Sequence, residues 1–109
     1  MTIASPRELE IYETSDGRFP FEDWLNSLKD ITARSLIRKR LTRIRLGNMG
    51  NARNLGDGVW ELKIDFGPGY RVYYGEDGPK IVVLLIGGDK GTQPRDIQKA
   101  KAYWEDYHA

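Results

Sequence analysis

Val59-Trp60-Glu61-Leu62-Lys63-Ile64-Asp65-Phe66-Gly67-Pro68-Gly69-Tyr70-Arg71-Val72-Tyr73-Tyr74 reads as a β-hairpin, and the rest of the chain can be placed around it. Strict alternation sends Trp60, Leu62, Ile64 and Phe66 to one side and Glu61, Lys63 and Asp65 to the other, which is the period of two of a strand. The first set predicts a core face and the second a solvated one. In Gly67-Pro68-Gly69, Pro68 presets its φ and Gly69 can take a positive φ, so the segment predicts a type II turn. Beyond the turn Arg71 and Tyr73 share a face. The usual hairpin register then places Lys63, Arg71 and Tyr73 on one polar sheet surface, an arrangement suited to holding a phosphate.

At 109 residues the chain has material for one modest core, so residues 1–109 are read as a single domain. The absence of cysteine excludes disulfides, thiolate catalysis and cysteine-ligated metal, and fits a reducing compartment. A lone histidine, His108, removes most other metal options, and no cofactor is expected. No apolar run approaches the roughly 20 residues needed to span a bilayer. The first residues carry no signal-peptide pattern. A soluble protein of the cytoplasm, with no membrane partner, is the expectation.

Formal net charge is only +1, but the signs are segregated. Residues 31–56 hold Arg34, Arg38, Lys39, Arg40, Arg43, Arg45 and Arg53 and no acid, whereas the first thirty residues lean acidic. A polyanion would meet one patch of this surface; the plainer alternative is a solvated helix face.

Leu9 and Ile11, alternating with Glu10 and Tyr12, predict a first strand over Leu9–Thr14. Pro20 opens a short amphipathic helix carrying Phe21, Trp24, Leu25 and Leu28. A second helix follows over about Thr32–Leu46, with Ala33, Ile37, Leu41 and Ile44 as its apolar stripe. On one flank of it Arg34, Arg38 and Arg45 fall within roughly 40° of one another. The two helices are expected as a hairpin on one side of the sheet. The continuous run Ile81–Ile86 predicts a strand covered on both faces. Thr92 or Gln93 can cap a last helix with Pro94 in its first turn, buried through Ile97, Ala100, Trp104 and Tyr107. The order strand, helix, helix, three antiparallel strands, helix belongs to the α+β class. Trp24, Trp60 and Trp104 are read as core.

Gly87-Gly88-Asp89-Lys90-Gly91-Thr92 superficially suggests a phosphate loop, but Lys90 precedes Gly91, so it is not a Walker A motif. Two readings remain. One is a lysine at a strand end beside a helix N-terminus that favours anions. The other is a loop that needs glycine for positive φ.

Gly58–Lys63, Gly67–Tyr73 and Gly87–Lys90, in this order and spacing and together with the helix start Phe21-Glu22-Asp23-Trp24-Leu25, resemble the addiction-module killer proteins, HigB-like toxins of the RelE/ParE superfamily. The resemblance covers nearly the whole chain. It implies a RelE-like fold and a toxin of a type II toxin–antitoxin pair, with a small cognate antitoxin, typically a helix-turn-helix protein, as partner. RelE-like members cleave mRNA in the ribosomal A site; ParE-like members inhibit DNA gyrase without catalysis. By resemblance, Lys63 falls on a lysine used in acid–base chemistry, Arg71 on the arginine that holds the scissile phosphate, and Lys90 near an arginine that protonates the leaving group. Two positions depart from the pattern. Glu61 stands where RelE-like enzymes carry a second lysine, and no tyrosine lies among Thr92–Asp96, leaving Tyr73 as the substitute.

The chemistry itself is simple to state. RNA carries its own nucleophile in the 2′-OH, so cleavage requires a base for that proton, cations for the phosphate and an acid for the 5′-oxygen, but no metal. Arginine stays charged and can bind two phosphate oxygens. A lysine acts as a base only where neighbouring cations drive its pKa down. Glu61 can pair with Lys63 or itself be the base. The candidate catalytic set is therefore Lys63, Arg71, Lys90 and Glu61, with Arg34, Arg38, Arg45, Arg53 and Tyr73 as RNA or ribosome contacts. The shared cations favour a ribosome-dependent endoribonuclease over the gyrase inhibitor.

Overall fold

The computed structural model describes residues 6–109, so the expectation about a signal sequence falls partly on residues 1–5, outside the described residues. The elements are β1 (Glu8–Ile11), α1 (Pro20–Ser27), α2 (Ile31–Arg45), β2 (Ala52–Gly56), β3 (Val59–Ile64), β4 (Tyr70–Asp77), β5 (Ile81–Asp89), a 3-10 turn (Lys90–Thr92) and α3 (Gln93–His108). The strands form one mixed sheet in the order β1-β5-β4-β3-β2. β1 runs parallel to β5, and all other pairings are antiparallel. This is an α+β architecture compatible with a RelE-like fold.

One strand escaped the sequence reading. β2 pairs with β3 through Ala52↔Leu62 and Arg53↔Glu61, yet its sequence Ala-Arg-Asn-Leu-Gly has neither β-branched residues nor a clear alternation. Its pairing comes from the strand beside it. The turn after β3 also differs in detail from expectation. Gly69 N–H donates to the Phe66 carbonyl at 3.0 Å, so Gly67 (φ +55°) and Pro68 occupy the corner, one residue earlier than predicted.

The helices are distributed over both faces. On one, Phe21 and Leu25 of α1 and Ala33, Ile37 and Ile44 of α2 pack with Leu62, Ile64, Val72, Tyr74, Val82 and Leu84. On the other, Ala100 and Trp104 of α3 pack with Tyr12, Val59, Tyr73, Val83 and Leu85. Each fully buried Val, Leu, Ile or Phe among them contributes roughly 1.5–3 kcal/mol relative to exposure. The face expected to be wet is thus largely a second core. Tyr12, read with the polar set, is buried there and donates its hydroxyl to Asp106 Oδ2 at 2.5 Å.

Glycine explains how the aromatic side chains seat on the central strands. A Cβ on Gly87 would collide with the Trp24 ring, and a Cβ on Gly75 with the Trp104 ring. Gly88 similarly leaves room for the Asp96 carboxylate. Gly87 and Gly88 are strand residues without positive φ, so the reading of a loop that needs positive φ does not hold there, whereas Lys90 does follow the end of β5 just before α3. Close packing, not backbone freedom, requires them. Asp89 ends β5 by accepting from the Gly91 and Thr92 amides, and Asp30 caps α2 by accepting from Ala33 N.

Candidate functional site

Arg53, Glu61 and Tyr73 form one row across β2, β3 and β4, and Lys63 stands opposite Arg71 in the next. Cross-strand partners share a sheet face, so Glu61, Lys63, Arg71 and Tyr73 do lie on one surface. What covers that surface sets them apart. The α3 face shields Tyr73, Arg71 and Glu61, which are 0%, 6% and 4% exposed. Lys63, opposite Arg71 but one strand farther from β5, keeps half of its side chain in solvent.

Between β2, β3 and the start of α3 lies an open cleft of about 460 Å³, lined by Asn51, Ala52, Arg53, Glu61, Lys63, Asp65, Arg71 and Gln93. Glu61 is clamped on its wall. Its Oε1 accepts from Arg53 Nη2 at 3.0 Å and its Oε2 from Gln93 Nε2 at 2.8 Å. Arg71 Nε approaches Oε2 at 3.8 Å, an ion-pair separation, while Arg71 Nη1 donates to the Gly69 carbonyl at 2.7 Å. Arg71 Nε itself is buried without a hydrogen-bond partner.

Lys63 pairs with Asp65 at 3.3 Å. Of the two options for Glu61, the pairing with Lys63 is replaced by pairing with arginines, because Arg53 and Arg71 flank it across both neighbouring strands. Tyr73 does not line the cleft. Its hydroxyl is buried without a partner, and burial, followed by the Glu61 charge, holds the phenol well above its ordinary pKa range. Lys90 is exposed in the 3-10 turn and also does not line the cleft, although its Cβ and the Arg71 guanidinium both border Gly69.

The basic helix presents its cations on two flanks. Arg38 borders a groove with Leu9, Ile11 and Phe21, and Arg45 one with Arg7 and Glu8, both toward the β1 edge. Arg34 is half-buried with its Nε unpartnered. None of the three lines the Glu61–Arg71 cleft. The opposite flank of α2 does approach it: Lys39, Arg40 and Arg43 line a second cleft of about 290 Å³ that shares Asn51, Lys63 and Asp65 with the first. At 100° per residue these three cations fall within about 100° of one another, a signal available in the sequence. Gln93 had no such signal, since its contact with Glu61 spans 32 positions of chain.

Among the described residues no group of three His, Cys, Asp or Glu side chains is placed to hold a metal ion, and no helix is long and apolar enough to cross a membrane. What the cleft offers is three cations from adjacent strands around one buried carboxylate. Such a set binds an anion and can assist proton transfer at it.

Residues 23–105, most of the chain and all of the cleft, match the protein family described as Phage derived protein Gp49-like (DUF891). A protein of Haemophilus influenzae (strain ATCC 51907 / DSM 11121 / KW20 / Rd), described only as uncharacterized, is 46% identical over 81 residues, covering 74% of this chain and 82% of its own. The chain therefore belongs to the phage-derived Gp49-like family, a toxin-like addiction-module family related to the RelE-type toxins.

Proposed function

We propose that this protein is the toxin of a type II toxin–antitoxin pair and cleaves mRNA on the ribosome, using the RNA 2′-OH as nucleophile and no metal. The observation that supports this most directly is the convergence of Arg53, Lys63 and Arg71 on one cleft, with the buried Arg71 Nε unpartnered.

In the proposed reaction the 2′-oxygen attacks phosphorus and loses its proton to a base, giving a 2′,3′-cyclic phosphate. The 5′-oxygen departs with a proton from an acid. Arg71, joined by Arg53, holds the non-bridging oxygens, where two-point binding by guanidinium is strongest. Lys63, the half-exposed lysine of the cleft, is assigned the acid–base work. Lys90 adds a cation at the rim beyond Gly69 and is assigned to the leaving oxygen. Glu61, clamped by Gln93 and Arg53, is a positioning residue that holds the two arginines in place.

Orientation is the part this cleft supplies least, for its buried carboxylate, Glu61, is clamped, its exposed one, Asp65, is paired with Lys63, and His108 lies on α3, bonded to the Trp104 carbonyl at 2.9 Å. Orientation is worth several kcal/mol of a barrier. A ribosome holding the codon in place would supply it, with the exposed Arg38 and Arg45 flank of α2 contacting ribosomal RNA. The partner that restrains the toxin is a cognate antitoxin of the helix-turn-helix kind. Induction in cells with mapping of RNA 5′ ends against codon position tests this reading. Cuts at fixed codon positions support it, whereas uncut RNA with stabilised gyrase–DNA cleavage complexes would assign the protein to the gyrase inhibitors.

A further inference from the structure

The cleft on the second flank of α2 has features the cleavage chemistry does not use. Lys39, Arg40 and Arg43 stand along one side, and Leu36, Ile64 and Phe66 supply an apolar wall. Among the described residues its only acid is Asp65, which is already paired with Lys63 at 3.3 Å. Arg40 is half-buried, and its Nη2 is buried with no hydrogen-bond partner. Its guanidinium lies against Gly50, whose lack of a Cβ gives it room. Burial lowers the Arg40 pKa, and the charge of Arg43 lowers it further. A bound anion would offset the repulsion between the two arginines.

We propose that this cleft is the subsite for the nucleotide adjacent to the scissile phosphate of single-stranded RNA, its base against Leu36, Ile64 and Phe66 and its phosphate held by Lys39, Arg40 and Arg43. The proposal rests on the cleavage reading above and extends it to the path of the strand. Continuity sets the direction, because Asn51, Lys63 and Asp65 line both clefts, so a strand leaving Arg71 passes Lys63 to reach α2. Size sets the occupant. At about 290 Å³ the cleft is at the low end of the roughly 300–1,000 Å³ typical of small-ligand sites, space for one nucleotide and not a duplex. The mixture of cations with an aromatic and aliphatic wall suits a base with its phosphate, since single-strand sites combine stacking with backbone charge. A run of acidic residues alone would leave the wall of Leu36, Ile64 and Phe66 unused.

The test is fluorescence anisotropy with a fluorescein-labelled RNA hexamer, 2′-O-methylated throughout so that it cannot be cut. Lys39→Ala with Arg43→Ala removes two exposed cations and leaves Arg40 in place. This variant should bind about tenfold more weakly near 0.1 M salt, with the slope of log K against log salt shallower by about 1.4, or 0.7 for each lost contact. A hexamer with abasic sites should bind wild type several-fold more weakly than the intact one, and Phe66→Ala should erase most of that difference. Unchanged affinity and slope in the double variant would overturn the proposal, as would equal binding of abasic and intact RNA. Competition by polyglutamate as effective as that by RNA would overturn it too, assigning the groove to an acidic protein. If wild type cuts no mRNA on ribosomes yet the double variant loses hexamer binding, the cleavage reading fails and the cleft stands only as a single-strand RNA site, without its place beside a scissile phosphate.

Discussion

Glu61 Oε2 and Arg71 Nε lie 3.8 Å apart across β3 and β4, with both side chains under a tenth exposed. The carboxylate is fully engaged, by Gln93 at 2.8 Å and Arg53 at 3.0 Å, whereas Arg71 Nε has no hydrogen bond. A buried charge is tolerable when its partners remain and costly when one is removed. The pair is therefore a structural element of the β3–β4 contact in which Arg71 keeps one buried nitrogen without a hydrogen bond.

Stability should separate Arg71 from Lys63. Arg71→Ala leaves Glu61 buried with only Arg53 and Gln93 and should cost about 2–4 kcal/mol. Lys63→Ala, at a half-exposed side chain, should stay within about 0.5 kcal/mol. Urea unfolding of the two variants checks this, and similar losses in both would show that Arg71 is not held as described.

Replacing Glu61 with Gln distinguishes positioning from base catalysis. The neutral side chain can still meet Gln93 but releases Arg53 and Arg71 from a negative charge, so RNA affinity should rise. Cleavage on ribosomes should fall by less than about tenfold, the scale of a positioning loss. A fall within or beyond the roughly 10²–10⁴-fold range typical of a lost general base would make Glu61 the base.

Gly75 and Gly87 should tolerate no side chain. Both Cβ positions are filled by tryptophan rings, Trp104 on one face and Trp24 on the other, and the backbone φ of neither glycine is positive. Gly87→Ala and Gly75→Ala should each cost about 1–3 kcal/mol through overpacking. Pairing Gly87→Ala with Trp24→Leu should recover part of the loss, which chemical denaturation can measure.

Alkaline pH should loosen the α3 face. Burial, then the hydrogen bond to Asp106, pushes the Tyr12 hydroxyl from 10.0 up to about 12. A group whose folded pKa is raised holds its full contribution below its unfolded pKa and loses it as pH climbs toward the folded value. Wild-type stability should thus decline between about pH 10 and 12. Tyr12→Phe should be less stable at neutral pH and show a shallower decline over that interval, as followed by thermal melts across the range.

The hairpin, the three helices and the buried β5 were legible because each carries its own period or punctuation, such as Pro20 at a helix start or the run Ile81–Ile86. β2 was not, because Ala52–Gly56 becomes a strand only by pairing with β3. In the cleft, alternation and the hairpin register together put Lys63 and Arg71 on one face, where they pair across β3 and β4. Their unequal burial was not legible, since it is set by α3, whose Gln93 arrives from 32 residues beyond Glu61. Angular clustering drew attention to Arg34, Arg38 and Arg45, yet which flank of α2 faces β3 depends on the tilt of the helix on the sheet. Lys39, Arg40 and Arg43 occupy that flank.

Cleavage of a defined mRNA by the purified protein, with and without programmed ribosomes, read by 5′-end mapping for wild type and Lys63→Ala, tests the proposed activity most directly. Wild type should cut within the A-site codon, leave the same RNA nearly intact without ribosomes, and need no divalent ion beyond that which the ribosome requires. Lys63→Ala should be folded and inactive. Equal cutting of naked RNA, or full activity in a folded Lys63→Ala protein, would contradict the assignment.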